Sequence, residues 1–191
     1  MRATTRGVDL NALRSLLGFL ALTSGVANAT VPHWEAPEGR FGFRLMVEGE
    51  VVEGQFDRFV VVPHVDTSGL PLGFDVEIDL RRVTTGNVDR DAELQAQAWF
   101  DTAAHPTARF SAERVETAPQ AGFVTHGLLT LKGIDRMVAV GFRWAVSAAE
   151  RTLAGETTLD RRWFGIGPDD DSSVAADVQV TFSLRWRRQR G

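Results

Sequence analysis

Residues 177–187 read DVQVTFSLRWR, and the pattern of these residues is the strongest indication of the fold class. From Val178 to Trp186 every second residue is apolar, and the residues between them are polar. Successive side chains of a β-strand point to opposite faces, so this alternation predicts a strand with one apolar and one polar face. Similar alternation returns in residues 41–47, 74–80 and 138–146.

Weaker strand candidates complete the predicted set. They lie at 55–62, 107–115, 122–131 and 151–159, and the alternation is irregular over 47–71. The total is eight strands. The sequence therefore predicts an all-β fold.

One helix is expected, at residues 88–99 (VDRDAELQAQAW), between the third and fourth strands. This segment contains good helix formers and no Gly or Pro, and Asn87 is positioned to cap its start. Gly86 and Pro106 bracket it.

Eight strands that each carry an apolar face must bury that face, either in a two-sheet sandwich or in a closed barrel. The long strands at 137–147 and 177–187 favour an eight-stranded antiparallel barrel, which is wide enough to hold one small ligand or a filling of side chains. Asp75, Glu77 and Asp79 would tolerate neither lipid nor a narrow lumen, so the polar faces are expected to point to water.

The first 29 residues are typical of a signal peptide. Arg2, Arg6 and Arg14 form a basic region, the mostly apolar run 15–26 is too short to span a bilayer, and Ala27-Asn28-Ala29 is a cleavage signal. An uncleaved anchor is the alternative. We therefore expect a signal peptide at 1–29, one barrel domain at 30–191, and a periplasmic location.

Composition excludes several functions. The whole chain carries a formal net charge of −4 and the first 29 residues carry +2, which leaves −6 for the remainder. An acidic domain of this kind is a poor nucleic-acid binder. The chain has no cysteine, which excludes disulfides, thiol chemistry and Cys-ligated metals.

Three motifs together resemble the YceI family. Residues 85–110 match a pattern T-x-N-x-x-R-D-x-x-L…F-F-D…P-x-x-x-F, with Trp99 in place of its first Phe. Residues 127–133 (GLLTLKG) resemble the family's G-x-L-T-x-K-G turn, and residues 160–167 (DRRWFGIG) resemble D-R-x-x-F-G-I-G. The resemblance covers roughly residues 41–187.

The resemblance implies a lipocalin-like periplasmic barrel that encloses a polyisoprenoid or an isoprenoid quinone. Affinity for such a ligand comes from burying its hydrocarbon surface, so the lining is expected to be apolar. The alternative is that the same residues fill a solid core. The predicted ligand-binding residues are Phe43, Phe74, Val76, Ile78, Phe110, Leu129, Leu131, Phe142, Trp144, Phe164 and Phe182.

Polar residues in the motifs have two interpretations. Arg90 and Asp91 favour a helix cap with a surface ion pair over a role in orienting the helix or meeting a polar head group. Lys132 with Gly133 favours a hairpin turn over a head-group contact. Asp160 and Arg161 favour a network at a strand end.

The function expected from these features is a non-catalytic carrier for a long-chain isoprenoid lipid or quinone. The chain has no G-x-S-x-G or H-E-x-x-H motif and no Gly-rich phosphate loop, so we expect neither an enzyme nor a metal site. No cofactor is expected apart from the bound lipid. The alternative is a periplasmic interaction module that assists a membrane cytochrome or a stress pathway, with a membrane protein as partner. The oligomeric state is left open, with a homodimer as one option.

Overall fold

The computed structural model describes residues 34, 36–120, 122–170 and 173–189. The predicted signal peptide at 1–29 lies outside these residues. Within them, no helix is long and apolar enough to cross a membrane. The strands form one antiparallel sheet and are β1 (Glu38–Val47), β2 (Glu50–Phe56), β3 (Phe59–Val65), β4 (Pro71–Asp79), β5 (Val83–Thr84), β6 (Thr107–Ala112), β7 (Val115–Ala118), β8 (Gly122–Leu131), β9 (Ile134–Val146), β10 (Glu150–Asp160) and β11 (Asp177–Arg187).

The all-β, antiparallel prediction is confirmed, but the described residues form eleven strands instead of eight. Among them the sheet is an open half-barrel instead of a closed barrel, because its end strands β3 and β5 do not pair with each other. The sheet order is β3-β4-β6-β8-β9-β10-β11-β1-β2-β5, with β7 paired to β8. An even number of antiparallel steps separates β2 from β3, so the two strands run in the same direction, and only Asp57 and Arg58 lie between them. The predicted strand at 55–62 spans this break, because the first half of the bent stretch pairs with β1 and the second half with β4.

The α-helix, α1, comprises Val88–Gln95 and ends four residues before the predicted end at Trp99. It lies between the short strand β5 and β6. The Asn87 side chain accepts a hydrogen bond from the Arg90 backbone N–H at 3.0 Å, which caps the helix as expected. Residues 97–100 form a turn instead of continuing the helix.

Two groups of buried apolar side chains occupy the interior of the sheet. One contains Phe43, Phe56, Leu80, Leu94 and Phe164 and includes residues of α1 and the 3-10 turn Arg161–Phe164. We call the end of the barrel that carries this group the helix end. The second group lies toward the other end and contains Val61, Phe74, Phe142, Trp144, Leu153, Leu184 and Trp186.

Candidate ligand cavity

The inward faces of the strands enclose a cavity of about 390 Å³. This volume is in the lower part of the range for small-molecule sites, about 300–1,000 Å³. Its wall comes from β1–β4, β6 and β8–β11, and α1, residues 161–166 and residues 173–174 contribute at the helix end. The period-two pattern of the sequence therefore produces a hollow interior at this position.

Ten of the eleven predicted ligand-binding residues line the cavity. Trp144 is the exception. It points inward but lies beyond Phe142 toward the opposite end, where its indole N–H donates to the Gly69 carbonyl at 3.0 Å and its ring packs 5.9 Å from Trp186. The ten residues that line the cavity are Phe43, Phe74, Val76, Ile78, Phe110, Leu129, Leu131, Phe142, Phe164 and Phe182.

Besides inward strand residues such as Val140 and Val180, which the predicted list leaves out, sequence reasoning missed two further kinds of lining residue. Val52 and Phe56 belong to β2, where the alternation is irregular because inward Gly54 separates them. Leu94, Phe100 and Ile166 come from the helix and loops of the helix end, where no strand periodicity marks them. All five are apolar, and Leu94, Phe100 and Ile166 also stand at positions of the motifs in 85–110 and 160–167, which could have identified them.

Two strand residues, one on β8 and one on β10, bring hydroxyl groups to the cavity wall, and both hydroxyls are occupied. The Thr125 hydroxyl donates to the Arg114 carbonyl at 2.5 Å, and Thr125 is buried. The Thr157 hydroxyl donates to the Ala139 carbonyl at 2.8 Å. Because these groups are satisfied by the backbone, this part of the lumen favours a hydrocarbon chain over a polar ligand.

The cavity reaches the surface at the helix end. Four of its lining residues are exposed: Glu48, Glu93, Arg109 and Ser173. Glu48 lies in the β1–β2 turn, where its backbone N–H donates to the Ser173 carbonyl at 2.7 Å. The opening is therefore polar, whereas the lumen behind it is apolar.

The opposite end is closed by aromatic packing. Phe74 lies edge-on to Phe142 at 5.1 Å, and Trp144 packs on Trp186. The Arg151 guanidinium lies 4.0 Å from the centre of the Trp34 ring, and burial lowers the pKa of Arg151. The cation–π contact partly compensates this desolvation, although the Arg151 Nε has no hydrogen-bond partner.

The three sequence motifs meet at the helix end. The Gly167 backbone N–H donates to the Ala98 carbonyl at 2.8 Å, which joins the first motif to the third. The Lys132 ammonium group donates to the Gly165 carbonyl at 2.6 Å, which joins the second to the third. Lys132 and Gly133 both have positive φ, as expected for a tight hairpin turn.

Arg161 organises the segment that covers this end. Its side chain is almost fully buried, with 3% of the residue exposed. A guanidinium group has five N–H donors in a fixed fork, and here they point at backbone carbonyls of the surrounding loop. The carbonyls belong to Ile166, Pro168, Asp170, Val174 and Ala175, and the distances to all but Pro168 are 2.6–3.0 Å. The sequence-based interpretation of Arg161 as a network residue fits this geometry.

Asp91 links α1 to Thr84 and Thr85, beside the opening, through hydrogen bonds. Its carboxylate accepts hydrogen bonds from the Thr85 backbone N–H at 2.6 Å, the Thr85 hydroxyl at 2.7 Å and the Thr84 hydroxyl at 2.9 Å. Burial acts to raise the pKa of Asp91, but these hydrogen bonds outweigh it and the pKa lies below its usual value. Neighbouring Arg90 is half-buried and lines the cavity.

We expect Asp91→Asn to destabilise the protein by about 1–3 kcal/mol at neutral pH, because an amide cannot accept all three hydrogen bonds. A lowered folded-state pKa gives stability that is present above the usual carboxyl pKa and is lost as the pH falls through the folded-state value. The difference between wild type and variant should therefore shrink as the pH falls below the usual carboxyl pKa. Urea unfolding at neutral pH and in acid measures the change, and a pH-independent difference would contradict this role.

Comparisons with known proteins agree with the fold. The model of the YceI-like domain family matches residues 29–186. BcnA of Burkholderia cenocepacia has a similar structure, with a TM-score of 0.72 and 24% identity over 77% of this chain and 95% of that one. A YceI protein of Campylobacter jejuni has a TM-score of 0.67 and 16% identity over 97% and 100% of the two chains.

A third similar structure is a polyisoprenoid binding domain from Saccharophagus degradans, with a TM-score of 0.60 and 16% identity over 83% of this chain and 100% of that one. At these identities the three structures establish the fold alone. No curated protein sequence matches the chain significantly.

Proposed function

The chain belongs to the YceI-like domain family, and from this premise we propose that it is a carrier that buries the tail of an isoprenoid lipid or quinone in its barrel. The cavity, with its apolar lining and polar opening, is the main support for this function. The polyisoprenoid-binding domain from Saccharophagus degradans, which shares the fold, supports the ligand class.

The energetics of an apolar lumen suit this cargo. Each buried CH₂ group contributes about 0.8 kcal/mol, so a tail segment of about ten carbon atoms gains about 8 kcal/mol before the entropic costs of binding. The Thr125 and Thr157 hydroxyls already donate to backbone carbonyls, so burying such a segment does not leave either hydroxyl without a hydrogen bond. Binding would be reversible burial, with no covalent step and no catalysis.

A periplasmic location is part of the proposal. It rests on the signal-like residues 1–29 and on the family resemblance. The intact mass of protein purified from a cell envelope extract tests it, because cleavage after Ala29 leaves a chain that starts at Thr30.

Organic extraction of the purified protein, followed by mass spectrometry, tests the cargo. We expect an isoprenoid lipid or quinone in a near-stoichiometric amount, because a hydrocarbon tail in a dry lumen exchanges slowly with water. Heat-unfolded protein carried through the same extraction controls for lipid stuck to the surface. A clean extract would contradict the carrier and favour the interaction module.

A further inference from the structure

Three glycines face the lumen from three different strands. They are Gly54 on β2, Gly127 on β8 and Gly155 on β10. Each lies two residues from a buried residue of its own strand, so each is on the inward face of that strand. None of the three has a positive φ. The backbone therefore does not demand glycine at these positions, and another cause must explain it.

A phenylalanine ring on the adjacent strand is the obstacle that all three positions share. A Cβ added at Gly54 would lie 2.6 Å from Cε1 of Phe43, its direct cross-strand partner. At Gly155 the added Cβ would lie 2.7 Å from Cζ of its cross-strand partner Phe182, and the Gly141 carbonyl oxygen would be nearer still.

Gly127 follows the same rule. An added Cβ would lie 2.5 Å from Cε2 of Phe110, which belongs to the neighbouring strand β6. Real Cβ atoms essentially never approach other atoms this closely, so each glycine leaves the space that its ring occupies.

We propose that Gly54, Gly127 and Gly155 determine the width of the cavity, and thereby select a methyl-branched isoprenoid chain. Each glycine lets a phenylalanine ring lie down along the wall, and a side chain in its place would push the ring toward the barrel axis. A branched chain is wider than an unbranched acyl chain, and closely packed interiors respond to a single added methylene. This proposal rests on the proposed function and deepens it.

Gly54 is the cleanest position for a test. The three nearest atoms to its added Cβ all belong to the Phe43 ring. At Gly127 and Gly155 the added Cβ also meets backbone carbonyl oxygens, of Ser111 and Gly141, so substitution there would disturb the sheet as well. Gly54→Ala therefore moves a ring and leaves the backbone in place.

The experiment compares two fluorescent probes of different width in titrations of delipidated protein. Retinol is a methyl-branched isoprenoid, and cis-parinaric acid is an unbranched polyene. We expect Gly54→Ala to weaken retinol binding by about tenfold or more and parinaric acid binding by less than about threefold. The matched control is Ala139→Val, which adds bulk at an exposed position of β9 and is expected to change neither affinity.

A rescue variant separates cavity width from general damage. Phe43→Leu in the Gly54→Ala background removes the displaced ring, so we expect it to restore retinol binding to within about threefold of wild type. If Gly54→Ala does not fold, Phe43→Leu alone gives the reciprocal test, because a wider lumen should favour retinol over parinaric acid.

Several outcomes would overturn the assignment. They are an equal loss for both probes, no loss for either, failure of Phe43→Leu to rescue, or an unchanged probe preference in that single variant. Failure of the wild-type protein to bind either probe would instead overturn the proposed function itself, and the role of the glycines with it.

Discussion

Replacing Arg161 by Met is expected to lower the free energy of unfolding by more than about 3 kcal/mol. The guanidinium is buried and its N–H groups donate to carbonyls of the loop that covers the helix end. Methionine fills similar space but leaves those carbonyls without donors, and a buried unsatisfied polar group costs about 1–3 kcal/mol. Urea unfolding followed by circular dichroism measures the change.

Arg162→Met is the matched control for this experiment. Arg162 is exposed and forms an ion pair with Asp160 at 2.7 Å, so its replacement should cost about 1 kcal/mol or less. Arg161→Lys retains the charge but has only three donors and no planar fork, and we expect a loss of about 2 kcal/mol or more. Equal effects of Arg161→Met and Arg162→Met would contradict the organising role of Arg161.

Filling the lumen is expected to remove the cargo. Val140 lines the cavity from β9, and a Val140→Trp substitution would place an indole in the space that we assign to the lipid tail. We expect lipid recovered per mole of protein to fall at least about tenfold, because overpacking costs about 1–3 kcal/mol and the tail must also compete with the ring for the same volume.

The neighbouring position provides the control. Ala139 is exposed on the outer face of the same strand, so Ala139→Trp adds the same side chain outside the barrel and should leave loading within about twofold of wild type. Thermal unfolding of both variants checks that each is folded. Undiminished loading of folded Val140→Trp would show that the lipid does not occupy this cavity.

The strands were predictable where local alternation and tertiary packing agree. Residues 122–131 form β8 at the predicted bounds, and 151–159 differ from β10 by one residue at each end. The stretch 47–71 was harder, because β2 and β3 pair with different neighbours and Gly54 interrupts the apolar series. That glycine is explained only by the ring of Phe43, a contact between strands that periodicity does not encode.

The cavity lining was predictable for a similar reason. Inward positions such as Phe142 and Phe182 follow from the period of two once one face is assigned to the interior. Depth along the barrel does not follow from this period, so the pattern predicts Trp144 in the lining although its side chain packs at the opposite end. The loop that covers the helix end was not predicted, because it has no periodicity. Its shape depends on hydrogen bonds that Arg161 donates to its carbonyl groups.

The pairing of β1 with β11 has a consequence for the timing of assembly. Glu38 faces Arg185 and Arg44 faces Gln179 across this ladder, so the wall joins an early part of the chain to a very late one. Contacts so distant in sequence form slowly, since a long loop must be ordered before they are made. A half-synthesised chain consequently lacks this wall, so the carrier that we propose can load only after β11 has paired with β1.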